Sequence, residues 1–298
     1  MTRTAFIAIV GRPNVGKSTL MNHLLGEKVA IVSSKPQTTR NRIAGILTKG
    51  EDQYVFLDTP GVHKAKNKLG SFMMKTVRSS VGMADAVILI AEAGYPAGEV
   101  EKNLIAQIKK AELPSILVLN KIDLVNREKL AETIAGYAAL HNFDAVVPTC
   151  AETGKNVTEV LDEAEQFLYE GDWMFEEDSL TDQPERQIAA EIVREKILRT
   201  LTDEIPHGTA VIIEDFAEDD EMIRIRATIY CEKESHKGII IGKNGETLKR
   251  IGTYAREDME AFFGTKVYVN LWVKVKEKWR DDQLSLNNFG FKPEDING

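Results

Sequence analysis

The chain has 298 residues, 43% hydrophobic and 28% charged, with a net charge of −8. That length allows about two domains of ordinary size, and no apolar run approaches the ~18 residues a membrane-spanning helix needs. Two distant cysteines, Cys150 and Cys231, and five histidines without metal-ligand spacing exclude a disulfide framework and a cysteine-based zinc site. The stretch MTRTAFIAIV enters a strand pattern at once and has no small-residue cleavage site. No secretory signal is therefore expected, and the chain reads as cytoplasmic. The charge is uneven: Lys233 to Arg280 holds eleven Lys and Arg against six Asp and Glu. An acidic protein with one basic segment points to a localised anion-binding face.

The first half alternates strands and helices. Apolar runs at Ala5–Val10, Tyr54–Leu57, Ala86–Ala91, Ile116–Leu119 and Ala145–Val147 are separated by helix-like segments such as Gly98–Glu112 and Arg127–His141. This is the grammar of an α/β domain with a doubly wound, mostly parallel sheet. Residues 156–169 read as its closing helix, which places this domain at residues 1–170.

The first strand leads into Gly11-Arg12-Pro13-Asn14-Val15-Gly16-Lys17-Ser18, and a helix follows. This is G-x-x-x-x-G-K-[ST] in strand–loop–helix context. Glycines let backbone N–H groups converge on phosphate oxygens, and the helix N-terminus adds partial positive charge. Lys17 supplies a cation for the β- and γ-phosphates, and Ser18 a hydroxyl for Mg²⁺. Asp58-Thr59-Pro60-Gly61 sits at the end of the strand Tyr54–Leu57. There the Asp58 carboxylate can hold the Mg²⁺ shell through water, and the Gly61 N–H can sense a γ-phosphate. Asn120-Lys121-Ile122-Asp123 ends another strand. Asp123 suits the paired N1–H and 2-amino donors of guanine, which adenine lacks. Asn120 would brace the loops, and the Lys121 stem would lie across the base. A backbone N–H of Thr149-Cys150-Ala151, with Cys150 and Ala151 as candidates, could meet guanine O6.

Residues 171–187 are acidic, contain Pro184 and lack periodicity, so they read as a linker packing locally through Trp173, Met174 and Phe175. Helix Ile188–Leu201 opens a second, α+β domain over 188–280, with strands Ala210–Phe216 and Met222–Glu232. A short helix from Ser235 to Gly242 and a longer one after Gly245 precede a strand at Lys266–Lys276, giving α-β-β-α-α-β. Gly242-Lys243-Asn244-Gly245 joins the two helices as G-x-x-G. Residues 281–298 form a tail without periodicity. The basic stretch Lys274–Arg280 carries Trp279, a weak membrane-interface signature. No helix suits the DNA major groove, so DNA is not an expected partner, and a monomer is expected.

G-x4-GKS, DTPG and NKID in this order resemble the TRAFAC class of GTPases. The loop GRPNVGKS with Gln37-Thr38-Thr39-Arg40 resembles the subgroup of the Era, MnmE and Der families. The second domain is similar to a type II KH domain, and the pair resembles the Era family over essentially the whole chain. The resemblance implies a P-loop GTPase followed by a KH domain, with GTP as substrate and Mg²⁺ as cofactor. Its switch-I Mg²⁺ ligand maps to Thr39, with Thr38 as the neighbouring alternative, and Lys17, Thr39 and Gly61 would serve hydrolysis. Many GTPases place Gln after D-x-x-G to orient water; this chain has Val62. The resemblance then implies slow intrinsic hydrolysis, with K⁺ near Asn14 as the missing charge. In the KH domain, the G-x-x-G backbone would approach four nucleotides of single-stranded RNA. Lys243 would touch phosphate, Arg224, Arg226, Lys249 and Arg250 would widen the field, and Ile239, Ile240 and Ile241 would line an apolar groove. Tyr268 and Trp272 could stack a base. The implied partners are the 3′ region of 16S rRNA and the 30S subunit, with peripheral contact at the inner membrane. Two alternatives remain: a GTP-dependent RNA scaffold with negligible hydrolysis, and an MnmE-like tRNA-modifying protein. The second predicts a folate or flavin domain and a C-terminal cysteine nucleophile, and is disfavoured because the sequence ends Ile296-Asn297-Gly298.

Overall fold

The computed structural model describes residues 1–292 and divides into two compact units. The first comprises residues 1–65 and 70–182; the second runs from Gln183 onward and takes in Lys66–Leu69.

In chain order the first unit comprises β1 (Arg3–Val10), α1 (Lys17–Leu25), β2 (Ile43–Lys49), β3 (Asp52–Asp58), α2 (Lys68–Met83), β4 (Ala86–Glu92) and α3 (Glu99–Ala111). It continues with β5 (Ser115–Asn120), α4 (Arg127–Ala138), β6 (Ala145–Pro148), α5 (Val157–Ala164) and β7 (Tyr169–Glu170). The sheet order is β2-β3-β1-β4-β5-β6, with β7 pairing β1. β1, β3, β4, β5 and β6 run parallel. Strands covered on both faces need no polar alternation, which is why β5 is buried at every position. Ile7, Ile9, Ile88, Ile90, Ile116 and Val118 pack on one face. Ala8, Val10, Val87, Leu89, Leu117 and Leu119 pack on the other, against Leu104, Ile105 and Ile108 of α3. All the parallel strands end at the same edge, where α/β folds bind ligands.

Three features differ from the sequence reading. Residues 43–49, absent from it, form an edge strand antiparallel to β3. The closing helix is shorter than 156–169: α5 stops at Ala164, and a 3₁₀ turn then leads into β7, antiparallel to β1. The linker is a strap along β2 and β3. Gln53 Oε1 accepts the N–H groups of Met174 and Phe175 at 2.9 and 3.0 Å, and Trp173 Nε1 donates to Glu51 O at 3.1 Å. Ile46 N–H donates to Leu180 O at 2.9 Å, and Thr181 Oγ1 to Ala44 O at 2.7 Å. The strap satisfies groups that an exposed edge strand would leave open. Met174, expected to pack, is half exposed, whereas Phe175 packs on the cluster of Ala44, Val55 and Leu57.

The second unit contains α6 (Glu185–Thr200), β8 (Ala210–Glu218), β9 (Met222–Cys231), α7 (Glu234–Ile241), α8 (Glu246–Phe263), β10 (Lys266–Val275) and α9 (Gln283–Asn288). Its sheet order is β10-β9-β8, with β10 parallel and β8 antiparallel to β9. Ile223, Ile225, Ala227 and Ile229 turn to one face and pack with Ile251, Ala255 and Met259 of α8 and Val193 and Ile197 of α6. Glu195 and Lys196 of α6 are buried as an ion pair at 3.0 Å, and Arg199 also bonds Glu195, at 2.9 Å. Lys196 further pairs with Asp258 of α8. The tail is part of this fold. Trp279 is fully buried, donates from Nε1 to Gly208 O at 2.9 Å and packs against Phe289 and Phe291. Trp279 is therefore a core residue, which corrects its reading as a membrane-interface anchor. Of the tail, residues 293–298 lie outside the described residues.

Candidate nucleotide and nucleic-acid sites

The loop between β1 and α1 is built around left-handed backbone. Gly16 has φ 103° and Asn14 φ 64°, and a Cβ on Gly16 would run into the Asn120 side-chain amide. Lys17 begins α1 and is 6% exposed. Its Nζ donates to Arg12 O at 2.9 Å, and Gly11 O lies 3.5 Å away. Burial pushes the Lys17 ammonium down to about 8, against the opposing charge of Asp58. The Arg12 side chain turns away from this loop to the fully buried Glu101 of α3, so Arg12 contributes its backbone here.

Ser18, Thr39 and Asp58 meet at one point. Ser18 Oγ donates to Asp58 Oδ2 at 2.6 Å, Thr39 Oγ1 donates to the same oxygen at 3.0 Å, and the two hydroxyls are 3.0 Å apart. Asp58 is fully buried, and burial raises its carboxyl above the usual range, opposed first by Lys17. Its Oδ1 is buried with no protein partner. Two hydroxyls and one carboxylate beside an orphaned oxygen form a hard-oxygen set that fits a hydrated Mg²⁺. Thr38 faces elsewhere, its Oγ1 donating to Lys35 O at 2.7 Å.

The 58–62 segment is fastened to the phosphate loop. Thr59 Oγ1 donates to Ile9 O at 2.8 Å, and Val62 N–H to Gly11 O at 3.0 Å. A Cβ on Gly61 would lie 2.6 Å from Pro13 Cα, so only glycine fits this approach. Pro60 is buried. The Val62 side chain packs against the α2–α4 face of the core. Asn14 Nδ2 donates to Ser34 O at 2.7 Å, tying the loop to residues 31–39, which complete the pocket wall. The sequence reading passed over His63. Its Nδ1 lies 2.9 Å from Gly61 O, and its Nε2 3.4 Å from Gln37 Nε2, so it bridges the segments holding Thr39 and Gly61. Gln37 sits at φ 61°. The signal available in the sequence was a titratable side chain two residues after D-x-x-G.

At the base end, Asn120 Nδ2 donates to Val15 O at 2.7 Å, while its Oδ1 accepts from Ala151 N–H at 2.8 Å and Thr149 Oγ1 at 3.2 Å. One side chain thus ties three loops together. Lys121 (φ 66°) pairs with Glu92 at 3.1 Å. Asp123 is exposed in the following 3₁₀ turn. The Cys150 and Ala151 amides, offered to guanine O6 by the sequence reading, are engaged otherwise. Cys150 N–H donates to Lys155 O at 3.1 Å, and Ala151 N–H serves Asn120. Neither therefore points at a base here, because the loop closes on itself first.

In the second unit, Gly242 (φ 76°, ψ 176°), Asn244 (φ 53°) and Gly245 (φ 79°) make the turn between α7 and α8. Beside it lies a groove of about 480 Å³ between α8 and β10, with Leu248, Lys249 and Arg256 on the helix side. Lys243 is exposed in the turn, Arg250 is exposed on α8, and Ile239 is exposed on α7. Ile240 is fully buried core and Ile241 packs partly against it, so of the three isoleucines only Ile239 is open to a ligand. Arg224 and Arg226 stand on β9 with their side chains on the face away from the helices, and Arg224 pairs with Asp219. They are not among the residues lining the groove.

Comparison with known proteins matches both units. Residues 6–121 fit the family model described as 50S ribosome-binding GTPase, and residues 204–280 fit the KH domain model. The chain is 48% identical over 294 residues to GTPase Era of Clostridioides difficile, covering 98% of this chain and 99% of that protein. It is 46% identical over 291 residues to GTPase Era of Ruminiclostridium cellulolyticum, covering 97% and 98%. A crystal structure of Era in complex with MgGDPNP and nucleotides 1506–1542 of 16S ribosomal RNA superposes with a TM-score of 0.94 at 37% identity, covering 98% and 99%. An Aquifex aeolicus Era variant bound to GDP·AlF4⁻ gives 0.94 at 38% identity, covering 97% and 99%.

Proposed function

The chain belongs to the Era family of GTPases, and from that premise we propose that it is a GTP-driven switch whose nucleotide state sets its grip on the 3′ region of small-subunit rRNA during 30S maturation. GTP hydrolysis and RNA binding are the activities of the family's two domains. The observation that carries the switch is the meeting of Ser18, Thr39 and Asp58 beside Lys17. Thr39 comes from a segment between α1 and β2, and it reaches this point only when that segment is folded over the phosphate loop.

In this reading the loop amides of residues 11–18 and Lys17 bind the phosphates and stabilise the charge that develops on them. Ser18, Thr39 and water-linked Asp58 would hold Mg²⁺, which supplies further positive charge to the β- and γ-phosphates. The Gly61 N–H responds to the γ-phosphate, and Asp123 reads guanine. Val62, being packed in the core, orients no water, which supports slow intrinsic hydrolysis. K⁺ at Asn14 is the proposed compensating charge, and GTPase rates equal in K⁺ and Na⁺ buffers would remove that part. In the second unit, Gly242–Gly245, Lys249 and the α8–β10 groove take single-stranded RNA. A KH groove holds about four nucleotides, fewer than the 16S fragment bound by the Era relative. No helix among the described residues is long and apolar enough to cross a membrane.

Titration calorimetry with GTP, GDP and ATP tests the nucleotide site. GTP and GDP are expected to bind far more tightly than ATP, because ATP offers no paired donors to Asp123. Equal affinity for ATP would overturn the assignment.

A further inference from the structure

We infer that the open face of the second unit's sheet extends RNA binding beyond the Gly242–Gly245 groove, from the groove-wall residue Tyr268 to a further platform at Trp272, where unpaired bases stack beside the cations Arg226 and Lys274. The inference rests on the RNA reading above. Strand period puts residues 224 and 226 of β9, and 268, 270, 272 and 274 of β10, on one face. Their partners in the alternation, Ile223, Ile225, Val267 and Val273, are buried against the helices. Tyr268 pairs in register with Arg224, and Asn270 with Arg226.

Tyr268 and Trp272 are each 57% exposed, on a unit that buries Trp279 completely. Four residues apart on a strand, their rings stand about 13 Å from each other. They are two separate platforms rather than one aromatic cluster. Arg226 makes no ion pair among the described residues, and Lys274 is exposed. The facing strand β8 brings Asp215 into register with Arg226, Glu214 at its bulge acts on Tyr230, and Asp219 offsets Arg224. On β10 itself the rings are flanked by Lys266 and Lys274, both exposed, and cations beside exposed rings complement a polyanion whose every base carries a π-face. An acidic protein partner would use the cations and leave the rings in water.

The face is bounded. Tyr230 packs against Phe289, with ring centroids 4.7 Å apart, and Thr228 is buried, so the C-terminal segment closes one end. The open part borders β10, whose residues 268–271 also wall the groove. A strand leaving the groove therefore has a continuous route over the β10 edge.

The test is fluorescence anisotropy of the full chain with two probes: a four-nucleotide single strand and a 16S rRNA 3′ fragment spanning nucleotides 1506–1542. For Trp272→Ala, which lies outside the groove wall, affinity for the long fragment is expected to fall roughly fivefold or more, with the short probe unchanged. Trp272→Phe, which keeps a ring, should retain most of the binding. Arg226→Ala should reduce the slope of log K against log salt by about 0.7. Because these side chains are exposed, melting temperatures should stay at the wild-type value. Wild-type affinity of Trp272→Ala for the long fragment overturns the inference. So does wild-type RNA affinity accompanied by lost binding to intact small subunits, which would assign the face to a protein. Failure of the wild type to bind either probe overturns the RNA reading itself, and is distinguishable because no variant is involved.

Discussion

Lys17 is the residue on which phosphate chemistry and protein physics pull in opposite directions. Its ammonium is buried, and that burial holds it near 8 rather than 10.5. A base whose folded-state value is depressed binds fewer protons folded than unfolded between those two values. Stability of the nucleotide-free protein should therefore rise as pH increases from about 8 to about 10.5, and this contribution should be flat below about 8. Phosphate oxygens favour the charged form, so GTP binding should take up a proton in the same window. Calorimetry at pH 9 in buffers of different ionisation enthalpy should show that uptake, and Lys17→Ala should lack it. Lys17→Ala should also cut GTP turnover by about 10²–10³-fold, the typical effect of losing one preorganised electrostatic donor. At the other end, Asp123→Asn replaces an acceptor with a group that can donate. Affinity for GTP should fall sharply, while xanthosine triphosphate, which carries an oxygen in place of the 2-amino group, should gain. Competition binding of the two nucleotides measures this exchange.

At the level of elements, what was legible in the sequence was what local spacing determines. The phosphate loop could be read because its residues act within eight positions and the strand and helix on either side are short-range patterns. The helix–strand order of the second unit followed from the alternation of Ile223, Ile225, Ala227 and Ile229 and the 3- and 4-residue spacing on α8. Facing and pairing could not be read in the same way. That Arg224 and Arg226 lie on the sheet face away from the helices depends on which face α6 and α8 cover. That the Cys150 and Ala151 amides are occupied depends on loop closure with Lys155 and Asn120. Strand β2 was missed because its edge is completed by a strap more than 120 residues away. Trp279 is the sharpest case: a basic neighbourhood suggested a surface, but its indole finds Gly208 O and two phenylalanines. Trp279→Ala should destabilise the second unit by about 3–5 kcal/mol, seen as a lower urea midpoint for that unit's transition. A midpoint equal to wild type would return the tail to the surface.

For the whole molecule, the question is how nucleotide in the first unit reaches RNA in the second. A contiguous covalent and hydrogen-bonded route exists. Thr39 at the phosphate site leads through residues 40–42 into β2, β2 is laced to the strap by Ala44 and Ile46, and the strap runs on into α6. In the proposed switch, the segment holding Thr39 orders on the γ-phosphate and thereby shifts this edge between two arrangements. Thr181→Val, which cannot donate to Ala44 O, should narrow the difference in RNA affinity between nucleotide states without changing GTP affinity. Linkage requires the coupling to be reciprocal, so RNA should tighten GTP-analogue binding by the same factor. The most direct measurement is the affinity of the full chain for the 16S rRNA 3′ fragment with saturating GDPNP and then with saturating GDP. The account expects a difference of at least about fivefold in favour of GDPNP; equal affinities in the two states would contradict it.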